Sequence, residues 1–271
     1  MNSISSTPTT STAPPIWRWT TLAAPSRFYA FAGACLPWLW ATTLLAGAAA
    51  FYVGFFVAPT DHQQGEAYRM IFVHVPAAWM SMVAYLALAF WAVWGWVFNV
   101  RLASTYARAL APTGALFTFI ALWTGACWGK PTWGTWWVWD ARLTSEFILL
   151  LLYLGYLALV EAIDDERRAA HAGALLALVG VVNVPVIYFS VKWWNTLHQG
   201  ASVSLTAAPR MAATMLTAML LATVACWAYA FAVTFTRTRA MLLEQERERG
   251  WAAALVTAPG GARIAGEGAA A

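Results

Sequence analysis

Four histidines and a run of tryptophans carry the chemistry available to this chain. The run is Trp133-Gly-Thr-Trp-Trp-Val-Trp-Asp140, followed by Ala-Arg142 and, further on, Glu146. Tryptophan faces give a wide, flat, apolar contact at low entropic cost, which suits a large planar ligand. Arg69, Lys130 and Arg142 stand near the run and can pair with carboxylates. Of the histidines, His62 sits in a polar loop and His171 at a segment boundary, and both read as surface residues. His74 and His198 differ. His74 lies about one turn inside an apolar segment, where an ionisable group is costly and therefore usually functional. His198 closes Lys192-Trp-Trp-Asn-Thr-Leu-His-Gln-Gly, just beyond another such segment. Two neutral imidazoles around an aromatic slab can supply both axial ligands to one haem iron. The same tryptophans have a plainer reading. On a helix, Trp133, Trp136, Trp137 and position 140 share a face, and such a helix can simply lie in a bilayer interface. The residues alone leave both readings open.

The elements that must position these groups are membrane spans. The chain has 271 residues, 61% hydrophobic and 10% charged. A soluble domain carries roughly 25% charged residues, so this surface requires lipid as its solvent. Six apolar stretches, near 31–57, 71–98, 110–128, 145–163, 173–191 and 211–235, are long enough to cross a bilayer as helices. The expected fold is an all-α polytopic membrane protein of six transmembrane helices with an outward-facing tryptophan-rich interfacial segment. Pro185 should kink the fifth span, and Thr144 or Ser145 is placed to cap the fourth. Of the 16 Lys and Arg, five (Arg69, Lys130, Arg142, Lys192, Arg210) fall on the side of the tryptophan run and the other eleven on the opposite side. Lys and Arg accumulate in cytoplasmic connections, so both termini are expected in the cytoplasm. The net charge of +4 then reflects orientation and gives no reason to invoke nucleic acid. Cys35, Cys127 and Cys226 lie in separate segments without CxxC spacing and read as buried free thiols. Residues 1–24 form a Ser/Thr/Pro-rich extension expected to be disordered, and the first apolar segment reads as a retained span. Residues 25–240 form the membrane domain. Residues 241–271 form a cytoplasmic tail, largely disordered after a short helical extension near 240–250.

Residues 133–146, WGTWWVWDARLTSE, resemble the signature of the haem-handling WWD-domain family of cytochrome c biogenesis. FVHVPAA at 72–78, WGK at 128–130 and WWNTLHQG at 193–200 extend the resemblance over roughly 25–240, to the branch of cytochrome c maturation protein C. The resemblance implies a haem exporter component that is not itself an enzyme. It implies haem b held at the periplasmic face of the bacterial inner membrane, with His74 and His198 as axial ligands. Trp133, Trp136, Trp137, Trp139 and Asp140 would form the platform, and Arg69, Arg142 and Lys130 would meet the propionates. The implied partners are a membrane-anchored periplasmic haem chaperone, which receives the haem covalently, the ATPase and membrane subunits of an ABC transporter, a small single-span subunit, and membrane lipid. Two other functions compete. A transmembrane haem transporter would need polar groups in mid-span, where only Thr118, Asn183 and Thr223 stand out. A b-type electron-transfer cytochrome would need histidine pairs within spans, and only His74 lies in one.

Overall fold

The computed structural model describes residues 23–200, 203, 208, 209 and 211–257. Most of the N-terminal extension, Arg18 and Arg210 with it, and residues 258–271 lie outside the described residues. The chain folds as α1 (Pro25–Tyr52), α2 (Ile71–Phe98), α3 (Arg101–Trp133), α4 (Ala141–Glu161), α5 (Glu166–Gly180), α6 (Asn183–Trp193), α7 (Ala213–Gln245) and α8 (Gly250–Thr257). A π-turn, Val53–Val57, extends α1, and a 3-10 turn, Glu66–Met70, leads into α2. No strand occurs among the described residues. Six helical segments are long and apolar enough to cross a membrane, with α5 and α6 together forming the fifth.

The helix ends follow local chemistry. Pro25 opens α1, where its missing N–H costs nothing. Asn99 and Gly134 close α2 and α3 in the left-handed region, at φ 53° and 78°. Asp140 and Asp165 cap α4 and α5 by accepting from the amides of Leu143 (2.8 Å) and Arg168 (2.7 Å). Asp140 thus takes the capping role expected of Thr144 or Ser145. Ser145 instead bonds back to the carbonyls of Ala141 and Arg142. The predicted kink is a break. Pro185 has no N–H for the carbonyl of Val181 and its ring crowds that carbonyl, so α5 ends at Gly180 and α6 starts at Asn183. The third span is longer than the 110–128 stretch because polar helix continues past the hydrocarbon at both ends, from Arg101 to Trp133. The region expected to be a largely disordered tail holds the end of α7 and all of α8.

α2 packs along α3, α1 along α7, and α4 against α3, α5 and α6. The core is built from Ala and Gly around a few large groups, chiefly Tyr85, Leu88, Leu149, Tyr153 and Ile187. Lipid gives apolar side chains no reason to cluster, so small residues that let backbones approach carry the association. A Cβ at Gly114 would lie 2.2 Å from the Tyr153 ring. On the outer surface, α1 turns Trp38, Leu44 and Leu45 outward, where lipid solvates them. Arg101 pairs with Glu246 and Tyr29 packs on Trp251, so the starts of α1 and α3 meet the end of α7 and the start of α8 on one face. The opposite face carries His74, the tryptophan run and His198.

Candidate functional site

His74 lies in the first turns of α2 and faces α3. Its Nδ1 is 3.0 Å from the carbonyl of Ala121 and 3.1 Å from Thr124 Oγ1. The Thr124 hydroxyl donates to the Ile120 carbonyl at 2.6 Å, leaving its oxygen free to accept. A carbonyl can only accept, so Nδ1 carries a proton, and in the neutral ring Nε2 keeps its lone pair. His198 repeats this logic from a loop, with Nδ1 2.7 Å from the Gln199 carbonyl. Neither Nε2 has a hydrogen-bond partner among the described residues. The two rings stand 6.1 Å apart, centre to centre, tilted by 37°. A transition metal binds imidazole nitrogen at about 2.0–2.1 Å, so two such bonds in line, with the half-rings beyond them, span roughly 6 Å. Burial pushes the His198 imidazole down to about 4, and the charge of Arg142 adds to the effect. This ligand is therefore neutral at physiological pH.

The loop that carries His198 is latched at two points. Asp140 Oδ2 accepts from the Leu197 amide at 3.3 Å. Gln64 donates from Nε2 to Gln199 Oε1 at 2.8 Å and accepts from Trp128 Nε1 at 2.7 Å. Asp140 therefore starts α4 and tethers the histidine loop with the same carboxylate.

Residues 134–140 are not helical. Gly134 turns the chain out of α3, and the run to Asp140 is irregular. The shared helical face expected for the tryptophans does not form. Trp133, Trp136 and Trp137 instead line a cavity of about 70 Å³ together with His74, His198, Arg142 and Glu146. Trp139 does not line it. It is 74% exposed and packs edge-on to Trp137 and Phe147, the posture of an interfacial anchor. Of the three expected cations, only Arg142 reaches the cavity, where its guanidinium donates to the Ile187 carbonyl at 2.8 Å. Arg69 binds Glu66 and the carbonyls of Gly54 and Ala58, clasping the end of α1. Lys130 donates to the Gly134 carbonyl at the end of α3. The long reach of both side chains let backbone carbonyls claim them. Sequence reasoning gave no site role to Glu146, Gln64, Trp128 or Thr124. Gln64 had no local signal, since its partners lie on other elements, whereas Trp128 opens the WGK motif at 128–130.

The family described as Heme exporter protein C matches residues 18–253. The chain belongs to the Heme exporter protein C family. It is 52% identical over 181 residues to Heme exporter protein C of Escherichia coli (strain K12), covering 67% of this chain and 74% of that protein. Identity to the Haemophilus influenzae Heme exporter protein C is 43% over 241 residues, covering 89% and 98%. A cytochrome c biosynthesis ccmC-like mitochondrial protein of Marchantia polymorpha is 48% identical over 157 residues, covering 58% and 66%. The Heme exporter protein C match spans all the elements that build the cavity.

Proposed function

We propose that this chain binds haem b between His74 and His198 at the periplasmic face of the bacterial cytoplasmic membrane and delivers it for c-type cytochrome biogenesis. The observation that carries the reading is the pair of imidazoles at one aromatic cavity, their centres 6.1 Å apart and each pinned through Nδ1 to a backbone carbonyl. That pinning sets the tautomer and raises the basicity of Nε2, as outer hydrogen bonds do at metal sites. The donors present also suit an anionic, planar guest. Arg142 reaches the cavity, and the Trp137 indole N–H is buried without a hydrogen-bond partner among the described residues. An unpaired buried donor costs about 1–3 kcal/mol, which a propionate oxygen would recover. Trp133, Trp136 and Trp137 cover the ring, while Trp139 seats the loop at the membrane surface. Haem supplies the iron, and the protein supplies two nitrogen ligands and a wall.

The charge asymmetry supports cytoplasmic termini and a periplasmic site. Delivery goes to a periplasmic, membrane-anchored haem chaperone. An ABC transporter ATPase with its membrane subunits and a small single-span subunit then completes release, so this chain acts as a haem-handling component without catalysis of its own. The test is haem titration of the purified chain. It should take up haem with a six-coordinate low-spin spectrum, and His74→Ala or His198→Ala should cut occupancy by tenfold or more. Wild-type spectra in both variants would refute the assignment.

A further inference from the structure

Asn183 is a polar side chain inside the fifth span, and iron ligation and propionate binding give it no task. An amide at membrane depth is costly unless it is bonded. Asn183 starts α6, directly after the helix break, and its Nδ2 donates to the Ser145 carbonyl of α4 at 2.9 Å. Two more bonds join the same two stretches of chain. Arg142 donates to the Ile187 carbonyl at 2.8 Å, and the Leu197 amide donates to Asp140 at 3.3 Å. Positions 183, 187 and 197 thus meet 145, 142 and 140 in antiparallel order. Each rung ties the stretch that leads to His198 to the start of α4. Lipid supplies no hydrophobic drive between these helices, so hydrogen bonds across them and close packing set how they sit.

The break makes the rungs matter. α5 is seated against α2, since a Cβ at Gly180 would lie 2.0 Å from the Tyr85 hydroxyl. α6 begins three residues after Gly180, with no continuous helix to aim it. A helix rises about 1.5 Å per residue, so α6 is a rod with about 6 Å from Asn183 to Ile187 and about 9 Å from Ile187 to Trp193. A slip of about 1 Å at Asn183, pivoting on Ile187, becomes about 1.5 Å at the end that leads to His198. That is most of the length of a metal–imidazole bond, about 2.0–2.1 Å. Asn183 does not line the cavity, so it acts only through what it holds. We infer that Asn183 is a positioning residue, which fixes α6 against α4 so that His198 reaches the iron. The inference rests on the haem reading above.

A double-mutant cycle on the full chain in detergent tests it. Haem affinity is measured by titration in wild type, Asn183→Leu, His198→Ala and the double variant. Leucine is close to the amide in size but cannot donate. Asn183→Leu should weaken haem binding about three- to tenfold where His198 is present, the scale of one hydrogen bond. In the His198→Ala background it should change nothing. In the haem-free chain, amide exchange at Leu197 and His198 should rise by a similar factor, while exchange in α2 stays at the wild-type level. Absence of either effect overturns the inference. An equal loss of affinity in both backgrounds also overturns it, because a merely structural role acts with or without His198. If Asn183→Leu fails to fold, Asn183→Ser, too short to reach the Ser145 carbonyl, carries the same cycle and the same outcomes. A wild-type chain with six-coordinate haem and no coupling between positions 183 and 198 refutes the positioning role alone. One that takes up no haem refutes the haem reading, and this inference with it.

Discussion

Replacing Gly125 by alanine perturbs the site with little else at stake. Gly125 lies in α3 against His74, and a methyl there would sit 3.0 Å from Cε1 and 3.5 Å from Nδ1. Carbon atoms pack best at about 3.5–4.0 Å, so the ring must retreat by roughly 0.5 Å. His74 is held by bonds of 3.0 and 3.1 Å to Ala121 and Thr124. A retreat of that size takes at least one of them past about 3.2 Å, the usual limit for a good hydrogen bond. Losing one such bond costs about 0.5–1.5 kcal/mol, which is roughly a two- to tenfold loss of haem affinity. The same change favours the helix, because glycine within a helix is less stable than alanine by about 0.5–1 kcal/mol. Gly125→Ala should therefore melt close to wild type without haem, the helix gain offsetting the weakened His74 bond, while haem binds several-fold more weakly. Paired thermal melts and haem titrations check both halves. Unchanged haem affinity, or a loss of stability that matches the loss of binding, would show that the pinned His74 geometry is not what matters.

Three further outcomes follow from the latches. Gln64→Ala severs the link from Trp128 to Gln199 and should speed haem dissociation about three- to tenfold, the scale of one or two neutral hydrogen bonds, in stopped-flow transfer to apomyoglobin; an unchanged off-rate would deny the latch a role. Asp140→Ala removes the cap of α4 and the Leu197 tether together. It should cost about 1 kcal/mol in stability and raise amide exchange at 194–200, whereas exchange rising only in α4 would leave the tether without effect. The third outcome concerns pH. His198 titrates at about 4 when docked, against 6.5 as its ordinary value. The undocked loop binds more protons between those values. Docking should thus be independent of pH above about 6.5 and weaken as pH falls towards 4, by up to about tenfold per unit. Spin-label mobility at position 200 in haem-free protein reads this directly, and equal mobility at pH 7.5 and 4.5 would contradict it.

The six spans were legible in the sequence, because each depends on local composition. An apolar stretch of twenty residues has one solution in lipid, and an even number of spans returns both termini to one face. Tertiary structure decided what each polar group touches. Arg69 and Lys130 carry the same charge as Arg142, yet carbonyls of neighbouring turns hold the first two and only the third reaches the cavity. Trp139 shares the motif of Trp133, Trp136 and Trp137 but turns outward, since Gly134 breaks the helix that would have set its direction. That glycine was the one local sign that the run is a loop. Glu146 had no partner legible in the sequence, because its neighbour, Ser81, belongs to α2. Helix formation is a property of a segment and its solvent. Contact between side chains on separate helices depends on how those helices pack, which no single segment specifies.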